Sequence, residues 1–173
     1  CGCWPAWRVA LRSDQGVVDT PRDHRVAEVA RNAVAVVGVV IHIVLVDDHR
    51  VVTRSLKAYL ESFPDLCVAG IAASGEELLA HIDEWRPDVV LQDLLLPGGI
   101  DGVETTRRLL QQAPSVKVVA LTASIDEARM MGVLRAGARG YVRKDADPET
   151  LLAAVRAVAR GKTFIDPSVA TSF

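Results

Sequence analysis

Ile41-His42-Ile43-Val44-Leu45-Val46-Asp47-Asp48 decides how this chain folds. Apolar residues fill all but one of its first six places, and two carboxylates then end the run. A short stretch that is apolar at odd and even positions alike reads as a strand buried on both faces, as in a parallel sheet covered by helices. The pattern recurs: residues 88–92 run into Asp93, residues 116–121 into Thr122, and residues 140–143 into Lys144. In a parallel α/β sheet these strand ends share one edge, and ligands bind in the crevice there. Three carboxylates, a hydroxyl and an ammonium are therefore expected in one pocket, a set suited to a divalent metal and a phosphoryl group.

Helices fill the intervals. Val52, Leu56, Tyr59 and Phe63 fall at helical spacing until Pro64-Asp65, which predicts a helix over 50–62. A strand over 66–72 follows, then Ser74 with Glu77, a capping box that opens a helix through Leu78, Leu79, Ile82 and Trp85. Arg86-Pro87 ends it. After an irregular Pro97-Gly98-Gly99 loop, Asp101 with Glu104 opens the third helix and Pro114 closes it. Ser124 with Glu127 predicts the fourth helix start, and Gly137 its C-terminal cap. Asp147 and Pro148 begin the fifth, whose apolar face is Leu151, Leu152, Val155 and Val158, up to Gly161. Five strands alternating with five helices call for an α/β fold with helices on both faces of a parallel sheet, since each crossover is right-handed. The flavodoxin-like order 2-1-3-4-5 is the usual solution, and its switch point brings Asp47 and Asp48 beside Asp93.

With 173 residues, 50% of them hydrophobic and 24% charged, the chain suffices for one well-buried domain. A net charge of −2 supplies no basic field to recruit nucleic acid or an anionic membrane. The apolar stretch 33–46 is too short to span a bilayer and contains His42. Asp14, Asp19, Asp23 and Glu28 are scattered through residues 1–38, unlike a secretory signal. A cytoplasmic protein without membrane attachment is expected. Cys1 and Cys3 match no metal or redox spacing, and Cys67, in an apolar run, reads as a buried thiol of a reducing compartment. Residues 1–38 read as an N-terminal extension that the strand pattern does not need, and 162–173 as the start of a linker.

Each strand-end residue also has an ordinary explanation. Asp47-Asp48 suits a helix cap, or a hard cation such as Mg²⁺ held by one carboxylate directly and the other through water. Asp93 suits a turn, or a nucleophile that becomes an aspartyl phosphate. Thr122 suits a strand end, or donation to a phosphoryl oxygen. Lys144 suits a solvated surface, or an ion pair with the carboxylates and then with the phosphoryl group. Tyr141 suits the core, with its hydroxyl at a partly wet boundary. Their shared edge favours the chemical alternative.

Val46-Asp47-Asp48-His49, Leu91-Gln92-Asp93-Leu94-Leu95-Leu96-Pro97 with Asp101-Gly102, Leu121-Thr122-Ala123 and Gly140-Tyr141-Val142-Arg143-Lys144-Asp145 strongly resemble the receiver domain of bacterial two-component response regulators. Asp-Asp-His, Lys144-Asp145-Ala146 and Val158-Ala159-Arg160-Gly161 resemble its NarL/LuxR-type subclass, whose full-length members carry a C-terminal helix-turn-helix. The resemblance implies a CheY-like receiver over 39–161 and a linker from 162 toward a DNA-binding domain not contained in these residues. It implies Asp93 as phosphoacceptor, Asp48, Asp93 and the Leu95 carbonyl as direct ligands of Mg²⁺ (or Mn²⁺), and Asp47 acting through water. Thr122 and Lys144 would hold the phosphoryl oxygens, and Tyr141 would change position with Thr122. The implied partners are a sensor histidine kinase and a second copy in a homodimer. The implied role is a switch limited to self-phosphotransfer and autodephosphorylation.

Three departures stand out within the resemblance. The loop 97–102 is one residue longer than in the commonest receivers. Gln92 takes a usually apolar place and is expected to point away from Asp93. Asp145 follows the lysine where many receivers have proline, which leaves the isomer of that peptide open. A phosphatase of similar sheet usually has a second acid two positions after its nucleophile, and here Leu95 stands there.

Overall fold

The computed structural model describes residues 38–172. Its elements in order are β1 (Ile41–Val46), α1 (Arg50–Glu61), β2 (Leu66–Ala72), α2 (Gly75–Trp85), β3 (Val89–Asp93) and α3 (Gly102–Gln112). β4 (Lys117–Thr122), α4 (Glu127–Arg135), β5 (Gly140–Arg143), α5 (Pro148–Ala159), β6 (Phe164–Ile165) and α6 (Pro167–Ala170) follow. The strands form one parallel sheet in the order β2-β1-β3-β4-β5-β6. The predicted five-strand order is present, and a sixth strand extends it. Phe164 and Ile165 pair with Gly140 and Tyr141, which brings the first residues after α5 into the sheet. Two residues give no alternation to read, which is why composition could not find β6.

Side-chain alternation divides the core into two layers. Ile43, Leu45, Val89, Leu91, Val119, Leu121 and Val142 face the layer that holds Leu60 of α1 and Leu151, Leu152, Val155 and Val158 of α5. Val44, Val46, Val90, Val118, Ala120 and Tyr141 face Leu78 and Ile82 of α2, Leu109 of α3 and Val133 of α4. Burying one such aliphatic side chain contributes roughly 1.5–3 kcal/mol, so both layers are needed to hold the sheet closed. Among the described residues, no helix is long and apolar enough to cross a membrane.

Local signals mostly fall where predicted. Ser74 Oγ accepts from the Glu77 amide at 3.1 Å, and Glu77 Oε2 accepts from the Ala73 amide at 2.7 Å. Asp101 Oδ1 accepts from the Glu104 amide at 2.8 Å. The α4 start differs. Its cap is Asp126, whose side chain accepts from the Arg129 amide at 3.2 Å, while the Ser124 carbonyl is taken by Thr122. Asp147 occupies the α5 cap position without a side-chain cap bond, leaving Pro148 as the starting signal. Cys67 is buried in β2 but disulfide-bonded, which corrects the thiol reading, since burial alone does not distinguish the two states. The Lys144-Asp145 peptide is trans.

Candidate metal and phosphoryl site

β1, β3, β4 and β5 lie side by side and end together, so Asp47-Asp48, Asp93, Thr122 and Lys144 emerge along one edge. Asp47 and Asp93 are almost fully buried, at 4% and 1% exposure. The Lys144 ammonium bridges them, 2.7 Å from Asp47 Oδ2 and 2.8 Å from Asp93 Oδ2. Two buried carboxylates sharing one cation leave the pair with net negative charge. Asp93 Oδ1 is steered by the Leu95 amide, which donates to it at 3.0 Å.

The two acids experience opposite net effects. Burial pushes both upward, but for Asp47 the bonds from Lys144 and His49 outweigh it and hold the carboxyl below its ordinary range. For Asp93 burial wins over Lys144 and the Leu95 amide, and its carboxyl lies above that range. Lys144 is pushed down by burial but held up overall by the two carboxylates. Asp93 is thus the acid whose charge is least compensated.

His49 completes the cluster and was not among the expected site residues. Its Nδ1 lies 2.8 Å from Asp47 Oδ1 and 3.2 Å from Asp48 Oδ1, and its amide donates to Asp47 Oδ1 at 2.9 Å. Oxygen or nitrogen atoms of Asp47, Asp48, His49 and Asp93 all fall within 4.8 Å of one another. Asp48 Oδ1 is buried and accepts no hydrogen bond of good geometry. A carboxylate oxygen left in that position among other carboxylates fits the hard, oxygen-preferring Mg²⁺.

Thr122 and Tyr141 lie next to this edge. Thr122 Oγ1 donates to the Ser124 carbonyl at 2.5 Å. Tyr141 is fully buried beneath α4 rather than at a wet boundary, and burial pushes its phenol upward. Gln92 is also fully buried, and its Nε2 donates to the Asp93 backbone carbonyl at 2.9 Å, not to the Asp93 side chain. Leu95 is 41% exposed beside the site.

The loop after Asp93 is held closely. A Cβ added at Gly102 would lie 2.3 Å from the Asp93 carbonyl oxygen and 2.6 Å from Leu94 Cα, so α3 starts directly against the Asp93 backbone. Gly99, at φ +144°, rests on the Glu76 carboxylate, which accepts from the Ile100 amide at 2.9 Å. This contact ties the long loop to the first turn of α2.

A doubly wound parallel sheet with an acidic cluster and a lysine at its switch point defines a class of α/β domain that several families share. The model of the response regulator receiver domain matches residues 43–156 of this chain, and the chain belongs to that family. It is 40% identical over 130 residues to the oxygen regulatory protein NreC of Staphylococcus carnosus and 38% identical over 129 residues to the transcriptional regulatory protein DegU of Brevibacillus brevis. Each match covers 75% of this chain, which spans 60% and 54% of those two relatives' lengths. A LuxR-family response regulator from Aurantimonas superposes with a TM-score of 0.72 at 33% identity, covering 76% of this chain and 94% of that one. The isolated receiver domain of RcsB from Salmonella enterica, solved in the presence of the phosphomimetic BeF₃⁻, gives 0.71 at 26%, covering 76% and 97%. The chain carries a receiver domain of the NarL/LuxR-type response regulators, a signalling module.

Proposed function

We propose that Asp93 accepts a phosphoryl group from the phosphohistidine of a sensor kinase. The observation that carries this reading is the buried Asp93 carboxylate, bridged to Asp47 by Lys144 at the sheet's switch point. An Asp93 oxygen attacks phosphorus, the P–N bond breaks, and its electron pair leaves with the kinase imidazole. The Lys144 ammonium already lies within hydrogen-bond distance of Asp93 and moves onto the phosphoryl oxygens as they arrive. Thr122 exchanges its bond to the Ser124 carbonyl for one to a phosphoryl oxygen, and Tyr141 repacks with it. Hydrolysis by water returns Asp93 to the carboxylate.

Asp48, Asp93 and the Leu95 carbonyl would hold Mg²⁺ or Mn²⁺, with Asp47 assisting through water. When bound, that ion offsets the repulsion between the acids and the incoming phosphoryl anion. The phosphorylated state biases the surface of α4, β5 and α5, which changes homodimerisation and output. DNA contact belongs to a C-terminal effector domain of the full-length cytoplasmic protein. The NreC and DegU relatives, longer than this chain and named as regulators, support that assignment.

Intact-mass spectrometry after incubation with acetyl phosphate and Mg²⁺ tests the reading. The native chain gains one phosphoryl group and Asp93→Asn gains none. An unmodified native chain, or an equally modified variant, overturns it.

A further inference from the structure

Asp166 is a buried acid, 3% exposed, at the far end of the chain from Asp93's strand. Its carboxylate is divided between two tasks. Oδ1 accepts from the Ser168 amide at 2.9 Å and the Ser168 hydroxyl at 2.7 Å, which fixes its direction. Oδ2 accepts from the Arg143 amide at 3.1 Å. Its own amide donates to the Tyr141 carbonyl at 2.8 Å. Val169, fully buried in the same layer as Tyr141, anchors the short turn that carries it.

These bonds fall at the last residues before Lys144. The β5–β6 register ends at Tyr141 and Ile165, so on that side of β5 no strand residue remains to accept from the Arg143 amide. The Asp166 carboxylate takes that place. On the opposite side the Lys144 amide donates to the Thr122 carbonyl at 2.7 Å. The end of β5 is therefore pinned from both flanks where the lysine leaves the sheet. Lys144 must bring one ammonium to 2.7 and 2.8 Å from carboxylates of two other strands, and catalytic geometry is lost steeply with small displacement.

We propose that Asp166 is a positioning residue: by standing in for the missing strand partner of Arg143, it sets the backbone from which Lys144 reaches the phosphoryl group. The inference rests on the phosphoryl role of Lys144 given above. It assigns the segment after α5 a part in the chemistry of the site, although no atom of that segment touches it.

Calorimetric titration with beryllofluoride at saturating Mg²⁺, and with Mg²⁺ alone, tests this on the full chain. Asp166→Ala weakens beryllofluoride binding about fivefold, a change of the size of one lost hydrogen bond. Its Mg²⁺ affinity stays within about twofold, because the ligand set lies on β1 and β3 and keeps its own bonds. Asp166→Asn, which keeps one oxygen for the Arg143 amide but turns its NH₂ toward the Ser168 amide, recovers part of the loss. A folded Asp166→Ala that binds beryllofluoride like the native chain overturns the inference, as does parallel loss of both affinities without recovery by Asn. If Asp166→Ala does not fold, Ser168→Ala decides: about twofold weaker beryllofluoride binding supports the inference and no change overturns it. A native chain that fails to bind beryllofluoride overturns the phosphoryl reading itself, and the inference with it.

Discussion

Lys144 Nζ stands 2.8 Å from Asp93 Oδ2, an ion pair between two strands that are not neighbours in the sheet. Removing the lysine leaves two buried acids facing each other, whereas removing Asp93 leaves Lys144 paired with Asp47. Lys144→Met is expected to lower stability by about 2 kcal/mol, somewhat below the cost of breaking a fully buried pair because the lysine retains some exposure. Asp93→Asn, which removes the less compensated charge, is expected to raise stability by about 1 kcal/mol. Denaturant titration of both single variants and the double variant checks this. A double variant whose change equals the sum of the two single changes contradicts the pairing.

Gly102 lies against the Asp93 backbone, with no room for a Cβ. Gly102→Ala therefore has to push α3 or the phosphoacceptor strand aside. A loss of about 1–3 kcal/mol is expected, together with slower phosphoryl uptake. Gly98, whose added Cβ meets nothing within 4 Å but whose φ is +77°, serves as a comparison with backbone strain alone. Equal phosphorylation rates in native chain and Gly102→Ala contradict the proposed close packing.

The Glu76 carboxylate is held below its ordinary range chiefly by the Ile100 amide that donates to it. Glu76→Ala is expected to speed hydrogen exchange at Ile100 by about fivefold while Thr105, bonded to the Asp101 carbonyl within α3, is unaffected. Unchanged exchange at Ile100 shows that the loop is held by other means.

Arg156 forks onto Asp65 with Nε and Nη2 at 3.0 and 2.9 Å from its two oxygens, joining α5 to the turn before β2. Arg156 is the main reason that the Asp65 carboxyl lies below its ordinary range. A depressed carboxylate contributes stability above its unfolded pKa and loses it as pH falls through the folded value. Arg156→Met is therefore expected to cost about 0.5–1 kcal/mol at neutral pH, as for a well-aligned exposed pair. The difference from native should close as acid protonates Asp65, below the ordinary carboxylate range. A gap that keeps its size at pH values well below the ordinary carboxylate range assigns the effect instead to the lost stacking of Arg156 over Phe63.

The strand ends were legible because strands buried on both faces are mainly apolar until they leave the core, with the buried Gln92 of β3 an exception. Asp47, Asp93, Thr122 and Lys144 mark those exits. Ser74 and Asp101 were legible as caps because their bonds are local. The α4 cap was not, since Ser124 and Asp126 each precede a residue three places on whose amide they could cap. The folded chain uses Asp126, whose side chain takes the Arg129 amide. Glu76 and Asp166 escaped for another reason: each acts through a backbone amide that only the folded chain brings near, 24 residues apart for Glu76 and Ile100 and 23 for Asp166 and Arg143. His49 bonds to its own neighbours Asp47 and Asp48, and nothing in its spacing separates that contact from an ordinary helix start.

Asp93 alone is expected to carry the phosphoryl group. Borohydride reduces an aspartyl phosphate to homoserine, so peptide mapping of the chain after acetyl phosphate, Mg²⁺ and borohydride reads the modified position directly. Homoserine at position 93, and at no other aspartate, is the predicted result. Homoserine at Asp47 or Asp48, or none anywhere, contradicts the account.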